Sequence, residues 1–248
     1  MEQLGEALII VVALSVGAFV KGLTGTGLPQ IAIPVMAATL GVERAVVVMA
    51  IPGIVSNAWL VWANRDMVPA TRDLPALTVA GILGAGVGTV ALTSVDGRLL
   101  SVVLASVILA YVVVVTWRPD LSLSARLTRW TSPPVGLVAG GLQGATGVSG
   151  PLLSTYLHGF ALTPAAYVLS LSTLFLIFSV VQVATIAGLG FYTAGLLRES
   201  LLALVPIAVV LPLANRVSRR LPADLFRRLV LAGLVVAAAV LVVNAVRG

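Results

Sequence analysis

Two glycine-rich stretches of the chain are nearly the same. Residues 22–29 read GLTGTGLP, and residues 144–151, which lie 122 positions later, read GATGVSGP. Each stretch follows an apolar run and precedes a short apolar run that begins near a proline. A second correspondence joins residues 95–98 (VDGR) to residues 223–226 (ADLF), each at the start of the last apolar segment of its half. Two matches in matching places predict an internal repeat.

The sequence around these stretches is too apolar for a soluble protein. Of the 248 residues, 59% are hydrophobic and 10% are charged, and the mean hydropathy is +1.12. A soluble domain carries roughly 25% charged residues, so most of this chain must face lipid. Lipid offers the backbone no hydrogen-bond partner, so spanning segments must be helices or a closed barrel. The apolar runs do not alternate, which excludes a barrel and predicts an all-α integral membrane protein.

About ten hydrophobic helical segments are predicted. Those of the first half cover about Leu4–Val20, Leu28–Leu40, Ala45–Ala63, Leu74–Leu92 and Leu99–Trp117. Those of the second half cover about Pro134–Leu142, Pro151–Phe160, Ala165–Ala187, Leu196–Ala214 and Leu225–Val246. The predicted organisation is a first transmembrane repeat over 1–118, a polar cytoplasmic linker over 119–133 and a second repeat over 134–248.

The number and length of the segments predict their topology. Segments two, six and seven are shorter than the roughly 20 residues of a full span, which indicates broken or re-entrant helices at the start of each half. Five segments per half is an odd number, so the two repeats should have inverted topology, as in many secondary transporters.

Positive charges predict the orientation. With ten segments, one side receives eleven Lys and Arg residues and the other side receives four. The richer side should be cytoplasmic, which places both termini outside a plasma membrane, such as the inner membrane of a bacterium. Merging each short pair into a single broken span would change this assignment. The net charge of +6 is therefore interpreted as an orientation signal, and no nucleic-acid partner is expected.

Several kinds of chemistry lack the residues that they need. The chain has no cysteine, one histidine and nine carboxylates, so no disulfide, metal centre or cofactor is expected. No carboxylate pair and no Ser-His-Asp arrangement falls on facing segments, which argues against an enzyme. No carboxylate lies mid-span either, so coupling through a protonatable Asp or Glu is doubtful.

The two glycine-rich loops favour anion binding. Glycine interrupts a helix, and Pro29 and Pro151 are well placed in the first turn of the next one. The free N–H groups and the positive dipole end of that helix then face the loop. Hydroxyls of Thr24, Thr26, Thr146 and Ser149 would complete an oxyanion cradle. The alternative is that the glycines only permit close helix packing, which is the preferred interpretation for Gly81, Gly84 and Gly88.

Polar residues inside apolar segments complete the candidate set. Lys21 is the only lysine, and its repeat equivalent is Gln143. It would either neutralise an anion or snorkel to the cytoplasmic boundary, and the sequence leaves both open. Asn57, with Ser179 at the equivalent position, is expected on the pathway, whereas Gln182 is expected to pack between helices.

The candidate substrate-binding residues come from both loops and from Asn57. They are Lys21, Gly22, Thr24, Gly25, Thr26, Gly27, Pro29, Asn57, Gln143, Gly144, Thr146, Gly147, Ser149, Gly150 and Pro151.

The pairing of KGLTGTGLP (21–29) with GLQGATGVSGP (141–151) resembles the TauE/SafE sulfite exporter family, also called the DUF81 family. The resemblance spans nearly the whole chain. It implies a membrane carrier of sulfite, sulfonates or other small sulfur or organic anions, with alternating access around the two loops. An anion channel, a carrier of organic carboxylates and a non-transporting partner subunit are alternatives. The expected partners are a small oxyanion and the lipid bilayer, and a homo-oligomer is left open.

Overall fold

The computed structural model describes residues 2–24, 27–67, 74–117, 125–160 and 162–217, together with residues 235, 238–243, 245 and 246. Up to residue 217 these residues form ten helices and no strand, so the predicted all-helical class is confirmed. The helices are α1 (Glu2–Thr24), α2 (Leu28–Leu40), α3 (Val42–Ala63), α4 (Leu74–Ser94), α5 (Gly97–Trp117), α6 (Ala125–Thr146), α7 (Gly150–His158), α8 (Pro164–Gly188), α9 (Ala194–Leu202) and α10 (Leu204–Val217). Residues 238–243 are also helical.

Several helices have the length and surface of membrane spans. Five stretches of the described chain are long and apolar enough to cross a bilayer: Gly5–Gly22, Val42–Ala63, Leu74–Ser94, Pro164–Gly188 and Ala194–Ala214. On α4, Val79, Leu83 and Val87 are 61%, 64% and 72% exposed. They are four residues apart and therefore share one face. Such an exposed apolar face requires lipid beside it, so the chain is a multi-pass integral membrane protein.

Two segment boundaries differ from the prediction. Helix α6 begins at Ala125, inside the predicted linker, and has 22 residues, so the expectation of a short sixth segment is wrong. The prediction placed a helix start at Pro134, yet Pro133 and Pro134 both lie inside α6. A proline removes only its own backbone hydrogen bond, and the turns before it are still helical. The predicted ninth segment is divided at Ala203 into α9 and α10, since Pro206 cannot donate to the carbonyl of Leu202.

The other short segments agree with the prediction. Helix α2 has 13 residues and α7 has nine, and each has a proline in its first turn. The predicted tenth segment falls mostly outside the described residues.

An ion-pair cluster joins three helices at one end of the bundle. Arg44 Nη2 lies 2.9 Å from Glu6 Oε2 and 2.8 Å from Glu199 Oε1, and Arg44 Nε donates to Glu199 Oε2 at 3.1 Å. The cluster therefore places the first turns of α1 and α3 next to α9. Lys21 is 15 residues from Glu6, or about 22 Å at 1.5 Å per residue. Since a bilayer core is about 30 Å thick, Lys21 lies inside the membrane, in the half away from the Arg44 cluster.

Helices α4 and α6 are in backbone contact through glycine. A Cβ at Gly84 would overlap the carbonyl of Leu137, and one at Gly88 would overlap the carbonyl of Gly141. On α6, a Cβ at Gly140 would overlap the carbonyl of Gly81 of α4. The packing role predicted for the α4 glycines is therefore confirmed, and it fixes a helix of the first half against the first helix of the second half.

Candidate functional site

Lys21 is buried in protein at the end of α1. The residue is 2% exposed, and its Nζ donates to Asn57 Oδ1 at 2.7 Å and to Ser56 Oγ at 3.1 Å. Asn57 in turn donates from Nδ2 to the carbonyl of Gly53 at 2.8 Å, which holds its amide in place. The snorkelling interpretation is wrong, because the ammonium points into the bundle and ends on α3.

No carboxylate of the described chain lies within 4 Å of Lys21 Nζ. Its two partners are a hydroxyl and an amide oxygen, which are neutral dipoles. A buried charge is normally paired with an opposite charge. The arrangement therefore leaves a positive centre inside the bundle that lacks an anion.

The second loop carries amides where the first carries a lysine. Gln182 Nε2 on α8 donates to the carbonyls of Gln143 at 2.8 Å and Gly144 at 3.1 Å. These carbonyls lie in the last turn of α6, where helical acceptors run short of donors, and the carbonyl of Gln143 also accepts from the amide of Gly147 at 2.8 Å. Ser149 Oγ donates to Gln143 Oε1 at 2.8 Å and so ties the start of α7 to the same residue. Gln182 packs between helices as expected, and it also shapes the site.

Thr146 uses its hydroxyl inside the loop. Its Oγ1 donates to the carbonyl of Leu142 at 2.7 Å and accepts from the amide of Val148 at 3.3 Å. The following residue, Gly147, has a φ of +69°, a backbone conformation that favours glycine, and it lies against Ile33 of α2. Thr146 therefore shapes the turn. Its counterparts Thr24, Gly25 and Thr26 lie outside the side chains that the structure describes.

Gln30 joins the two loops and was not among the site residues predicted from the sequence. It lies in the first turn of α2, is 5% exposed, and its amide occupies the place that a Cβ at Gly150 would need. The start of α2 therefore meets the start of α7. Ser56, the second partner of Lys21, was also missed. Both are polar residues inside apolar segments, the same signal that identified Asn57.

A small cavity lies between the two loops and the middle of α3 and α8. Its polar lining consists of Asn57, Gln143, Ser179 and Gln182, and its apolar lining includes Ile33, Val46, Met49 and Phe175. The two loops themselves contribute Pro29 and Gly147. In this conformation the cavity has room for about one water molecule. It lies between residues of both halves.

The predicted site residues fall into three groups. Those that line the cavity are Pro29, Asn57, Gln143 and Gly147. Lys21 and Ser149 contact a lining side chain without lining the cavity themselves. The remaining described candidates are buried nearby in the two loops: Gly22, Gly27, Gly144, Thr146, Gly150 and Pro151.

The family model described as "Sulfite exporter TauE/SafE" matches residues 9–241, which include both loops and every residue around the cavity. The chain belongs to the TauE/SafE family. No significant match to the chain occurs among curated proteins or solved structures. The TauE/SafE family is a family of membrane transporters, which agrees with the apolar spans and with the buried site between them.

Replacing Gln182 with leucine should destabilise this TauE/SafE protein. The change removes two hydrogen bonds, each contributing about 1 kcal/mol, and takes the Gln182 donor from the carbonyl of Gly144 and from that of Gln143, which keeps only the Gly147 N–H. We expect a loss of about 2 kcal/mol in the free energy of unfolding, measured by thermal and denaturant unfolding in detergent. Thr185→Val is a matched control one turn away, since the Thr185 hydroxyl donates only within its own helix. Equal stability of the two variants would show that Gln182 does not hold the loop.

Proposed function

We propose that this TauE/SafE protein is a secondary transporter of small anions, with sulfite, sulfonates and related sulfur oxyanions as substrates. The observation that carries the proposal is the buried Lys21 with no carboxylate beside it in the described chain. An ionisable residue inside a membrane bundle marks a transport pathway far more often than a structural contact. A substrate anion would supply the charge that Lys21 lacks.

The helix boundaries support two repeats of inverted topology over 1–118 and 134–248. At the repeat spacing of 122 residues, the end of α1 at Thr24 corresponds to the end of α6 at Thr146. The starts of α2 and α3, at Leu28 and Val42, correspond to the starts of α7 and α8, at Gly150 and Pro164. Three helix boundaries around the two glycine loops thus fall at equivalent positions of the two halves.

Contacts between the halves also support this symmetry. Helix α4 packs against α6 and α8 of the second half, and the corresponding α9 and α10 pack against α3 and α1 of the first half. Helix α3 packs against its own equivalent, α8. For each contact between a helix of the first half and a helix of the second, the equivalent helices of the opposite halves are also in contact, as a pseudo-two-fold axis requires.

Alternating access is supported by the small volume of the cavity. Space for about one water molecule cannot admit an oxyanion, so the surrounding helices must separate during transport. At one end the Arg44 cluster holds α1, α3 and α9 together, and opening toward that end would break it.

The charge distribution supports an orientation with both termini outside a bacterial inner membrane. Lys21 is buried and therefore does not count as a loop charge. The predicted cytoplasmic side then has ten basic residues and the opposite side has four. The bias that places the Arg44 cluster on the outer side therefore remains.

Exchange of labelled sulfite across a proteoliposome membrane tests the proposed function. The purified protein is reconstituted into vesicles that contain unlabelled sulfite, and we expect uptake of external labelled sulfite that depends on the internal anion. Protein-free vesicles provide the background. Vesicles loaded with thiosulfate or methanesulfonate extend the test to related anions. If none of the three anions exchanges above background, the function is not anion transport. Ionic currents far above the rates of a carrier would identify a channel instead.

A further inference from the structure

The two halves of the cavity region differ in charge. Lys21 is the one charged side chain among the fully buried residues of the described chain, and the equivalent residue Gln143 is a neutral amide. The whole sequence has no carboxylate in residues 7–42, 44–65 or 121–198, the stretches that supply every residue around the cavity. The buried residues of the described chain around the cavity thus include one basic side chain, Lys21, and no carboxylate.

One ammonium group is neutralised by one negative charge. When an anion with a single charge sits beside Lys21, the protein interior becomes neutral as a whole. An anion with two charges leaves a net negative charge in a medium of low dielectric constant, where neither water nor a second cation compensates it. The electrostatics of the site therefore disfavour divalent anions such as sulfate.

One part of the cavity lining is apolar. Ile33, Met49 and Phe175 line it, and they are 1%, 2% and 5% exposed. An apolar wall favours an apolar part of the ligand, because such a contact removes hydrocarbon surface from water without leaving a polar group unpaired. The same lining carries the polar groups of Asn57, Gln143 and Ser179, which suit the oxygen atoms of a sulfonate or similar head group.

We propose that the site selects anions with a single negative charge and a small apolar substituent, with the charged head near Lys21 and Asn57 and the substituent against Ile33, Met49 and Phe175. This inference rests on the proposed transport function and specifies its substrates. Gln143 is the position that keeps the second half neutral, and it therefore limits the charge of the substrate.

A comparison of three anions tests the selectivity for charge. Near neutral pH, methanesulfonate is a monovalent anion and sulfate is a divalent anion. Sulfite is divalent above neutral pH and takes up a proton below it, which gives monovalent hydrogensulfite. In proteoliposomes containing the wild-type protein, we expect methanesulfonate to exchange about ten times faster than sulfate, a difference of about 1.4 kcal/mol. Sulfite exchange should rise on mild acidification, whereas methanesulfonate exchange should stay constant.

The variant Gln143→Lys tests the structural origin of that selectivity. A second ammonium at the equivalent position should raise the ratio of sulfate to methanesulfonate exchange about tenfold, equal to about 1.4 kcal/mol. The matched control Gln143→Met removes the amide without adding charge, and it should reduce the exchange of both anions by the same factor. If Gln143→Lys does not fold, the dependence of wild-type sulfite exchange on pH decides the question.

The failures of the two proposals are distinguishable. Equal exchange of sulfate and methanesulfonate by the wild-type protein, or sulfite exchange that falls on acidification, overturns the selectivity while anion transport stands. An unchanged ratio in a folded Gln143→Lys protein also overturns it. If no anion of either charge exchanges, both the selectivity and the proposed function are overturned.

Discussion

Replacing Lys21 with methionine should reduce anion exchange on the order of 100-fold and leave the protein folded. Removing one partner of a buried ion pair costs about 3 kcal/mol or more, and about 1.4 kcal/mol corresponds to a factor of ten. Methionine retains the length and the apolar stem of lysine, so the surrounding helices keep their packing. Exchange of labelled sulfite and of methanesulfonate by reconstituted protein would measure the loss.

The stability of the same variant separates a functional from a structural role. If Lys21 serves the substrate, Lys21→Met removes a buried charge without a charged partner, so the melting temperature should stay the same or rise. Arg65→Gln is the matched control for net charge. Arg65 is exposed beside the ring of Trp62, and its loss should leave exchange unchanged. A Lys21→Met protein with normal exchange and a lowered melting temperature would assign Lys21 to stability alone.

Replacing Gly88 with valine should prevent the stable assembly of the two halves. A side chain at this position would overlap the carbonyl of Gly141, and backbone cannot move aside as a flexible side chain can. Helices α4 and α6 would have to separate along their contact. We expect a loss of about 3 kcal/mol in the free energy of unfolding, which is at the upper end of the losses found when a side chain is added to a fully packed site. Yield of monodisperse protein and thermal unfolding in detergent would measure the loss.

Gly86 provides a matched control on the same helix. A Cβ added at Gly86 meets no atom within 4 Å, so Gly86→Val introduces the same residue into the same helix without a clash. Its stability should remain close to that of the wild-type protein. If Gly88→Val and Gly86→Val unfold at the same temperature, the glycine contact between α4 and α6 does not hold the halves together.

Much of the fold could be predicted because membrane segments follow from local rules. Apolar length identifies a span, and the bounds of α2 agree with the prediction at both ends, Leu28 and Leu40. The errors arose at prolines. Pro133 and Pro134 lie inside α6, whereas Pro206 follows the break between α9 and α10. A proline removes the same donor in each case, and the packing around it decides whether the helix continues.

The candidate site could be predicted in part. Pro29, Asn57, Gln143 and Gly147 were chosen from the sequence and line the cavity. Thr146 was chosen for its hydroxyl, which the structure uses within the turn. Gln182 was chosen only for packing, and it reaches across from α8 to hold the loop. Local sequence shows which residues are polar, but the direction of a side chain depends on neighbouring helices.

The sequence by itself determined that the chain lies in a membrane and that its glycine loops interrupt helices. These properties depend on solvent and on the conformational preferences of short stretches. The tertiary structure alone decided what Lys21 does. Snorkelling and burial are equally open to a lysine at the end of an apolar helix. Only the packing of α1 and α3 against α2 placed Ser56 and Asn57 beside its ammonium, with no carboxylate of the described chain there to neutralise it.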